Sequence, residues 1–278
     1  MQDQQADQIW VNGAPATAVS ALERGLHYGD GLFETMACMA GRVRFQELHL
    51  ARLARGCERL GIAAPDPDHL SRELAALGAG QARCILKLIL TRGPALARGY
   101  GYTTGQVPTR IALRYPWAGA PAEPAAGLRV RIARLRLAEN PATAGVKHLN
   151  RLEQVLARAE WDDPQVAEAL LFSRSGALIS GTMSNVFLVR GSTVRTPKLE
   201  LCGVAGIMRE VVMNVARDAA FAVQEQVLGA ADLDAAEEVF LTSSLTGIRR
   251  VGEIEGRILA GGAASRVLQA ALARLGVP

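Results

Sequence analysis

The chain has 278 residues, 49% of them hydrophobic and 21% charged, which is enough apolar material for one large core or two smaller ones and excludes a disordered chain. The net charge of +4 comes from arginines scattered along alternating segments, with no block of like charge and few aromatics beside them, and this argues against nucleic acid as a partner. No apolar run approaches a membrane-spanning length, MQDQQADQIWV lacks the charged and apolar regions of a leader, and Cys38, Cys57, Cys84 and Cys202 show no C-x-x-C spacing. The expectation is a cytoplasmic protein without a metal site, whose cysteines are small core residues.

Strands and helices mix along the chain without a βαβ repeat. IWVNGAPA reads as a hairpin through Asn12-Gly13, and MACMAGRVRF as a second one turning at Gly41. A helix is expected from about Glu47 to Leu60, with Leu50, Leu53, Cys57 and Leu60 on one face. ELAALGAG then reads as a helix end, and RCILKLILTRG and TRIALRYPW as strands. Residues 118–127, AGAPAEPAAG, are rich in Ala, Pro and Gly and form the candidate linker between an N-terminal domain, 1–117, and a C-terminal domain, 128–278. GLRVRIARLRL alternates apolar and arginine residues with a change of phase at Ile132-Ala133, the pattern of a bulged strand. In GVKHLNRLEQVLARAEW, Asn150 as N-cap and Glu153 three residues later predict a capping box and a helix from about Arg151. A hairpin through Arg174-Ser175-Gly176, a strand pair turning at Gly191, a helix opened by CGVAG and the strand EVFLTSS complete the order.

Lys147 therefore falls just ahead of a predicted helix N-terminus, where positive potential disfavours a protonated amine unless it is neutral or covalently used. An exposed surface lysine is the competing reading. GVAGIM leads from a loop into a helix and offers free N–H groups suited to a phosphate, or is only a turn. LTSSLTG places small hydroxyls at a strand end, suited to phosphate oxygens or to satisfying the turn itself. HLARL sets Arg52 beside His49 on a helix, as a phosphate clamp or as part of a solvated face. Taken together, two phosphate cradles, one arginine and one special lysine suggest a phosphorylated cofactor attached to the lysine, and pyridoxal 5'-phosphate fits them.

The ordered series ERGLHYGDGLFET, HLARL, LTRG, GVKHLNRLEQVLAR, GTMSNVFLV, GVAGIMRE and LTSSLTG resembles the fold-type IV pyridoxal-phosphate enzymes. That group contains branched-chain and D-amino-acid aminotransferases and 4-amino-4-deoxychorismate lyases. GVKHLNRLEQVLAR and ARGYG are most similar to the lyases, which release 4-aminobenzoate and pyruvate for folate synthesis. The resemblance implies an α+β, two-domain fold of the D-amino-acid-aminotransferase-like kind, with the cofactor in the interdomain cleft, and a homodimer.

Residue by residue, the resemblance implies that Lys147 carries the cofactor covalently and acts as the catalytic base. Arg52 would hold the cofactor phosphate with the backbone at Ile207 and the hydroxyl of Ser244, while Asn185 shapes the strand beneath the ring. Phe33, Arg98 and Tyr100 would line the substrate side, with ARGYG reaching the partner subunit's site, and His27 and Tyr28 would border the pocket. Many members of the group carry a glutamate five residues before the asparagine, where it keeps the pyridine nitrogen protonated; here Ser180 stands at that position. Two other readings stay open at this point: an aminotransferase for D-amino or branched-chain amino acids on the same fold, and a non-catalytic phosphometabolite-binding protein.

Overall fold

The computed structural model describes residues 5–277. The chain divides into two compact units, the first made of residues up to Gly119 together with Val146–Asn150, the second of Ala120–Gly145 and Arg151 onward.

The first unit contains β1 (Gln8–Val11), β2 (Ala14–Pro15), α1 (Arg24–Tyr28), β3 (Gly31–Met39), β4 (Arg42–Val43), α2 (Gln46–Leu60), α3 (Pro67–Gly78), β5 (Arg83–Thr91) and β6 (Thr109–Pro116). Its strands form one sheet in the order β2-β1-β6-β5-β3-β4, antiparallel at every junction. The two expected hairpins are present. Asn12 and Gly13 both take positive φ (52° and 86°), as do Ala40 and Gly41 (48° and 75°), the geometry that matches strand twist. Period-2 alternation sends Leu86, Leu88 and Leu90 of β5 and Leu32, Met36 and Cys38 of β3 into one core with Leu53 and Cys57 of α2 and Leu70, Leu74 and Leu77 of α3. Glu34 shares that inward face of β3 and is 1% exposed, an acid placed among hydrocarbon.

The second unit contains β7 (Leu128–Leu137), α4 (Leu152–Arg158), β8 (Val166–Ser173), β9 (Leu178–Gly181), β10 (Asn185–Arg190), β11 (Thr193–Pro197), α5 (Ile207–Asp218), β12 (Ala222–Gln226), α6 (Ala230–Asp234), β13 (Glu238–Ser243), β14 (Gly247–Ile254), β15 (Arg257–Ile258) and α7 (Ala263–Ala273). Its sheet runs β12-β11-β10-β13-β14-β7-β8-β9, with β15 paired to β14. Parallel pairs β11–β12, β14–β7 and β7–β8 sit among antiparallel ones. β7 carries the expected irregularity, its register against β8 shifting between Ile132 and Arg136. Both faces of the central strands are covered, one by Val130, Leu170, Val186, Val239 and Val251, the other by Ala133, Ala169, Leu171 and Ile179 with Trp161.

One local expectation is corrected. α4 begins at Leu152 with Arg151 as its N-cap, and no side chain caps it. The Asn150 Nδ2 donates instead to the Gly29 carbonyl at 3.2 Å, and Glu153 Oε1 accepts from the Ala138 N–H at 2.7 Å. Both side chains are thus engaged by distant backbone in place of the local cap.

Candidate active site

Lys147 is placed by β3. The upper edge of β3 is not covered by β4, which pairs only with Cys38 and Met39. Residues 147–149 fill that edge: the Phe33 N–H donates to the Lys147 carbonyl at 3.1 Å, the Leu149 N–H to the Gly31 carbonyl at 2.9 Å, and Leu32 and His148 form an antiparallel bridge. The lysine is half-buried, and its Nζ lies 4.1 Å from the centroid of the Phe33 ring. A cation over an aromatic face is attracted by the ring quadrupole, so the amine is held in one direction. The reading of an exposed surface lysine does not survive this geometry.

Successive residues of a strand point to opposite faces, so Glu34, next to Phe33, projects toward α2. There it meets Arg52 and His49, both buried on that helix. Arg52 Nε donates to Glu34 Oε1 at 2.8 Å and its Nη2 donates to Oε2, while His49 Nδ1 donates to Oε2 at 2.6 Å. Burial alone would push the Glu34 carboxyl up, but the bonds from His49 and Arg52 and the Arg52 charge outweigh it and hold the group below its ordinary value. Burial pushes the His49 imidazole the other way, below its ordinary value and against the pull of Glu34; the Arg52 and Lys147 charges add to the depression. His49 is therefore neutral, with its proton on Nδ1. Its Nε2 is buried without a hydrogen-bond partner among the described residues. The solvated-face reading of Arg52 is replaced by a buried cation on a fixed carboxylate.

His27, Arg98 and Tyr100 also belong to the first unit, but they stand at its surface. Arg98 is exposed and Tyr100 is 83% exposed. Tyr100 packs against Tyr28, with ring centroids 5.3 Å apart, and His27 lies edge-on to Tyr28 at 5.7 Å while its Nε2 bonds to the Ala21 carbonyl at 2.8 Å.

In the second unit, Asn185 opens β10, and its Nδ2 donates to the Val204 carbonyl at 2.9 Å, fastening the loop that enters α5. A Cβ on Gly206 would overlap the Asn185 amide oxygen, which explains glycine at the residue before the helix. α5 has no side-chain cap, and Ile207, its first residue, is buried. Twelve residues long, the helix presents its N–H groups and the positive end of its dipole at this loop. Ser244 is half-buried in the turn after β13, where Ser243 Oγ and Thr246 Oγ1 lie 2.8 Å apart; the Thr242 hydroxyl is buried with no hydrogen-bond partner among the described residues. Ser180 is buried on β9 and pairs with Leu171 of β8.

The sequence reading missed Glu34 and Glu168. Glu168, 6% exposed on β8, accepts from the N–H groups of Ala169 (3.0 Å), Thr182 (3.0 Å) and Met183 (3.2 Å), from the Ser184 hydroxyl (3.1 Å) and from the Thr182 hydroxyl. It thereby fixes the turn that carries the chain from Ser180 to Asn185. The available signal was a single acid inside an apolar strand pattern, GLFETMACM and VAEALLF. Such an acid needs several hydrogen bonds to be tolerated.

Residues 31–254 match the family model described as amino-transferase class IV. The chain is 34% identical over 253 residues to the aminodeoxychorismate lyase of Vibrio harveyi, covering 88% of this chain and 91% of that protein. It is 31% identical over 260 residues to a putative branched-chain-amino-acid aminotransferase of Methanocaldococcus jannaschii, covering 91% and 89%. Among solved structures, 4-amino-4-deoxychorismate lyase from Pseudomonas aeruginosa superposes with a TM-score of 0.89 at 42% identity, covering 96% of this chain and 98% of that one. A lysine locked to a strand edge, a buried arginine and an open helix N-terminus thus lie within a sequence match that spans most of the chain, and the chain belongs to the aminotransferase class IV family.

Proposed function

We propose that this chain is a pyridoxal-phosphate-dependent lyase that converts 4-amino-4-deoxychorismate to 4-aminobenzoate and pyruvate. The observation that carries the reading is the Lys147 amine, held 4.1 Å from the Phe33 ring centroid by a backbone paired to β3. The chemistry of the donor set fits the cofactor: a primary amine for its aldehyde, and a buried guanidinium, an uncapped helix end and strand-end hydroxyls for its phosphate.

When bound, pyridoxal phosphate supplies an electron sink beside the substrate nitrogen. The chain's own residues do the rest. Lys147 Nζ takes the proton from the ring carbon bearing nitrogen. The carbon–oxygen bond to the enolpyruvyl group on the neighbouring carbon then breaks, the ring becomes aromatic, and the departing group gains a proton and ketonises to pyruvate. No water or oxidant enters the balance. Arg52, aimed by Glu34, is assigned to the phosphate together with the Ile207 amide and Ser244, Asn185 to the strand beneath the ring, and Ser180 to the pyridine nitrogen. Phe33, Arg98, Tyr100 and His27 are assigned to the substrate, whose two carboxylates suit arginine recognition.

A homodimer is part of this reading: Leu152, Val155 and Leu156 form an apolar stripe on α4 that is 69%, 60% and 53% exposed. A cytoplasmic setting is supported by four cysteines that are all free thiols. No helix among the described residues is long and apolar enough to cross a membrane.

The test is a coupled assay for 4-aminobenzoate and pyruvate. Equimolar release of both, abolished in Lys147→Ala, is expected. A protein that ignores aminodeoxychorismate and exchanges amino groups between an amino acid and a keto acid would establish the second reading, which the similarity to the Methanocaldococcus protein favours.

A further inference from the structure

A network of two buried arginines and one partly buried aspartate underlies the segment between β5 and β6. Arg24, 4% exposed, donates from Nε to Asp30 Oδ2 at 2.8 Å. The rest of its guanidinium turns to three successive carbonyls: Nη2 to Tyr100 at 2.8 Å, and Nη1 to Gly101 at 3.0 Å and Gly99 at 3.4 Å. Arg92, 5% exposed, grips the same aspartate through Nε at 2.8 Å and Nη2 at 3.0 Å. Its Nη1 and Nη2 also donate to the Gly61 and Leu60 carbonyls at the end of α2, at 2.6 and 2.7 Å, and its guanidinium lies 3.7 Å from the Tyr102 ring centroid. Burial pushes the Asp30 carboxyl up, but the hydrogen bonds and charges of the two arginines outweigh it and hold the group ionised.

The segment has no strand or helix of its own, so its carbonyls need donors from elsewhere. Arg24 supplies them. Gly99, at φ +106°, takes a backbone conformation closed to ordinary side chains, which turns its carbonyl inward beside those of residues 100 and 101. The side chains of Arg98 and Tyr100 are left facing outward. One buried cation thus fixes the backbone that follows Arg98 and runs through Tyr100, the two residues assigned to substrate.

We propose that Arg24, oriented by Asp30, is a positioning residue for substrate recognition: by holding the carbonyls of residues 99–101 it presents Arg98 and Tyr100 to the carboxylates of the substrate. This rests on the lyase reading for the identity of the substrate, but the ordering of the segment does not depend on it. Lysine at position 24 keeps the charge and the Asp30 pair but cannot span three carbonyls; glutamine loses both.

The experiment compares Arg24→Gln and Arg24→Lys with the parent enzyme, saturated with pyridoxal phosphate, in two measurements. The first is KM and kcat for aminodeoxychorismate, alone and combined with Arg98→Ala. The second, made without substrate, is the rate of tryptic cleavage after Arg98, followed by mass spectrometry. Arg24→Gln is expected to raise KM about tenfold with kcat changed less than about threefold, to add little to Arg98→Ala, and to speed cleavage about tenfold. Arg24→Lys should fall between, and it serves as the readable variant if glutamine prevents folding. Unchanged cleavage and unchanged KM would overturn the proposal, as would an equal loss of kcat and kcat/KM with cleavage unchanged. If no form of the protein turns over aminodeoxychorismate, the lyase reading fails, and the cleavage rates alone decide whether Arg24 orders the segment.

Discussion

Replacing Glu34 by glutamine should weaken the first unit far more than so small a change of shape suggests. The carboxylate is 1% exposed, and its two oxygens receive Arg52 Nε at 2.8 Å, Arg52 Nη2 and His49 Nδ1 at 2.6 Å. An amide keeps one acceptor oxygen and turns an NH2 group against donors, so the imidazole must move its proton to Nε2 and Arg52 is left buried beside a neutral group. Breaking a buried pair by removing one partner costs about 3–5 kcal/mol, and the retained acceptor places this case near about 3 kcal/mol. Because two units need not unfold together, the suitable assay is native-state hydrogen exchange of the α2 amides, where about 3 kcal/mol is roughly a hundredfold faster exchange. The effect has a pH signature. Glu34 is held below its ordinary 4.5, so its contribution is fully present above 4.5 and is lost as the pH falls through the lower folded value; parent and variant should converge in acid. Exchange altered less than about fivefold, or a gap that does not shrink as the pH falls below 4.5, would refute the argument that this charge holds α2 to β3.

Lys147→Ala should leave a folded protein without lyase activity, and borohydride treatment with pyridoxal phosphate should label the lysine peptide only in the parent. Arg52→Ala should weaken pyridoxal phosphate binding by roughly ten- to a hundredfold in a spectroscopic titration, the worth of a charge-assisted contact. Ser180→Glu should increase the pyridoxamine phosphate formed per turnover with a D-amino acid, because a carboxylate stabilises a protonated pyridine nitrogen better than a hydroxyl does; equal yields would show that position 180 does not govern that nitrogen. Glu168→Ala should destabilise the second unit by about 2 kcal/mol or more, since it strands the buried N–H of Thr182 and removes the acceptor of the Met183 N–H, with a fall in the urea midpoint as the measurement.

The features legible in the sequence were those whose cause is local. Asn12-Gly13 and Ala40-Gly41 announce hairpins because left-handed backbone is needed at those positions. The change of phase at Ile132-Ala133 announces a bulge because the strand period is two. The capping pattern at Asn150 and Glu153 misled because both side chains had better partners in distant chain, Gly29 and Ala138. Glu34, Glu168 and Asp30 were illegible as site residues for a related reason. Each is a single acid with partners 14 to 62 residues away along the chain, brought close by the fold, and Asp30 also holds Arg24 six residues back. Arg52 stood between the two cases: its motif was readable, but the burial that separates a clamp from a surface charge was not.

The segment Val146–Asn150 belongs with the first unit although the chain has by then entered the second, and this has a consequence for the order of synthesis. When the first 119 residues have left the ribosome, β3 still lacks the neighbour that covers Gly31 to Phe33, and its bare amides and carbonyls are a template for a foreign strand. Closure must wait for the chain to return some 26 residues later, and the residue that returns is Lys147. The lysine that would carry the cofactor thus also belongs to the segment that closes the nascent unit. A truncated or stalled product ending before it would present an open sheet edge to quality control and, lacking its amine, nothing for the cofactor to attach to.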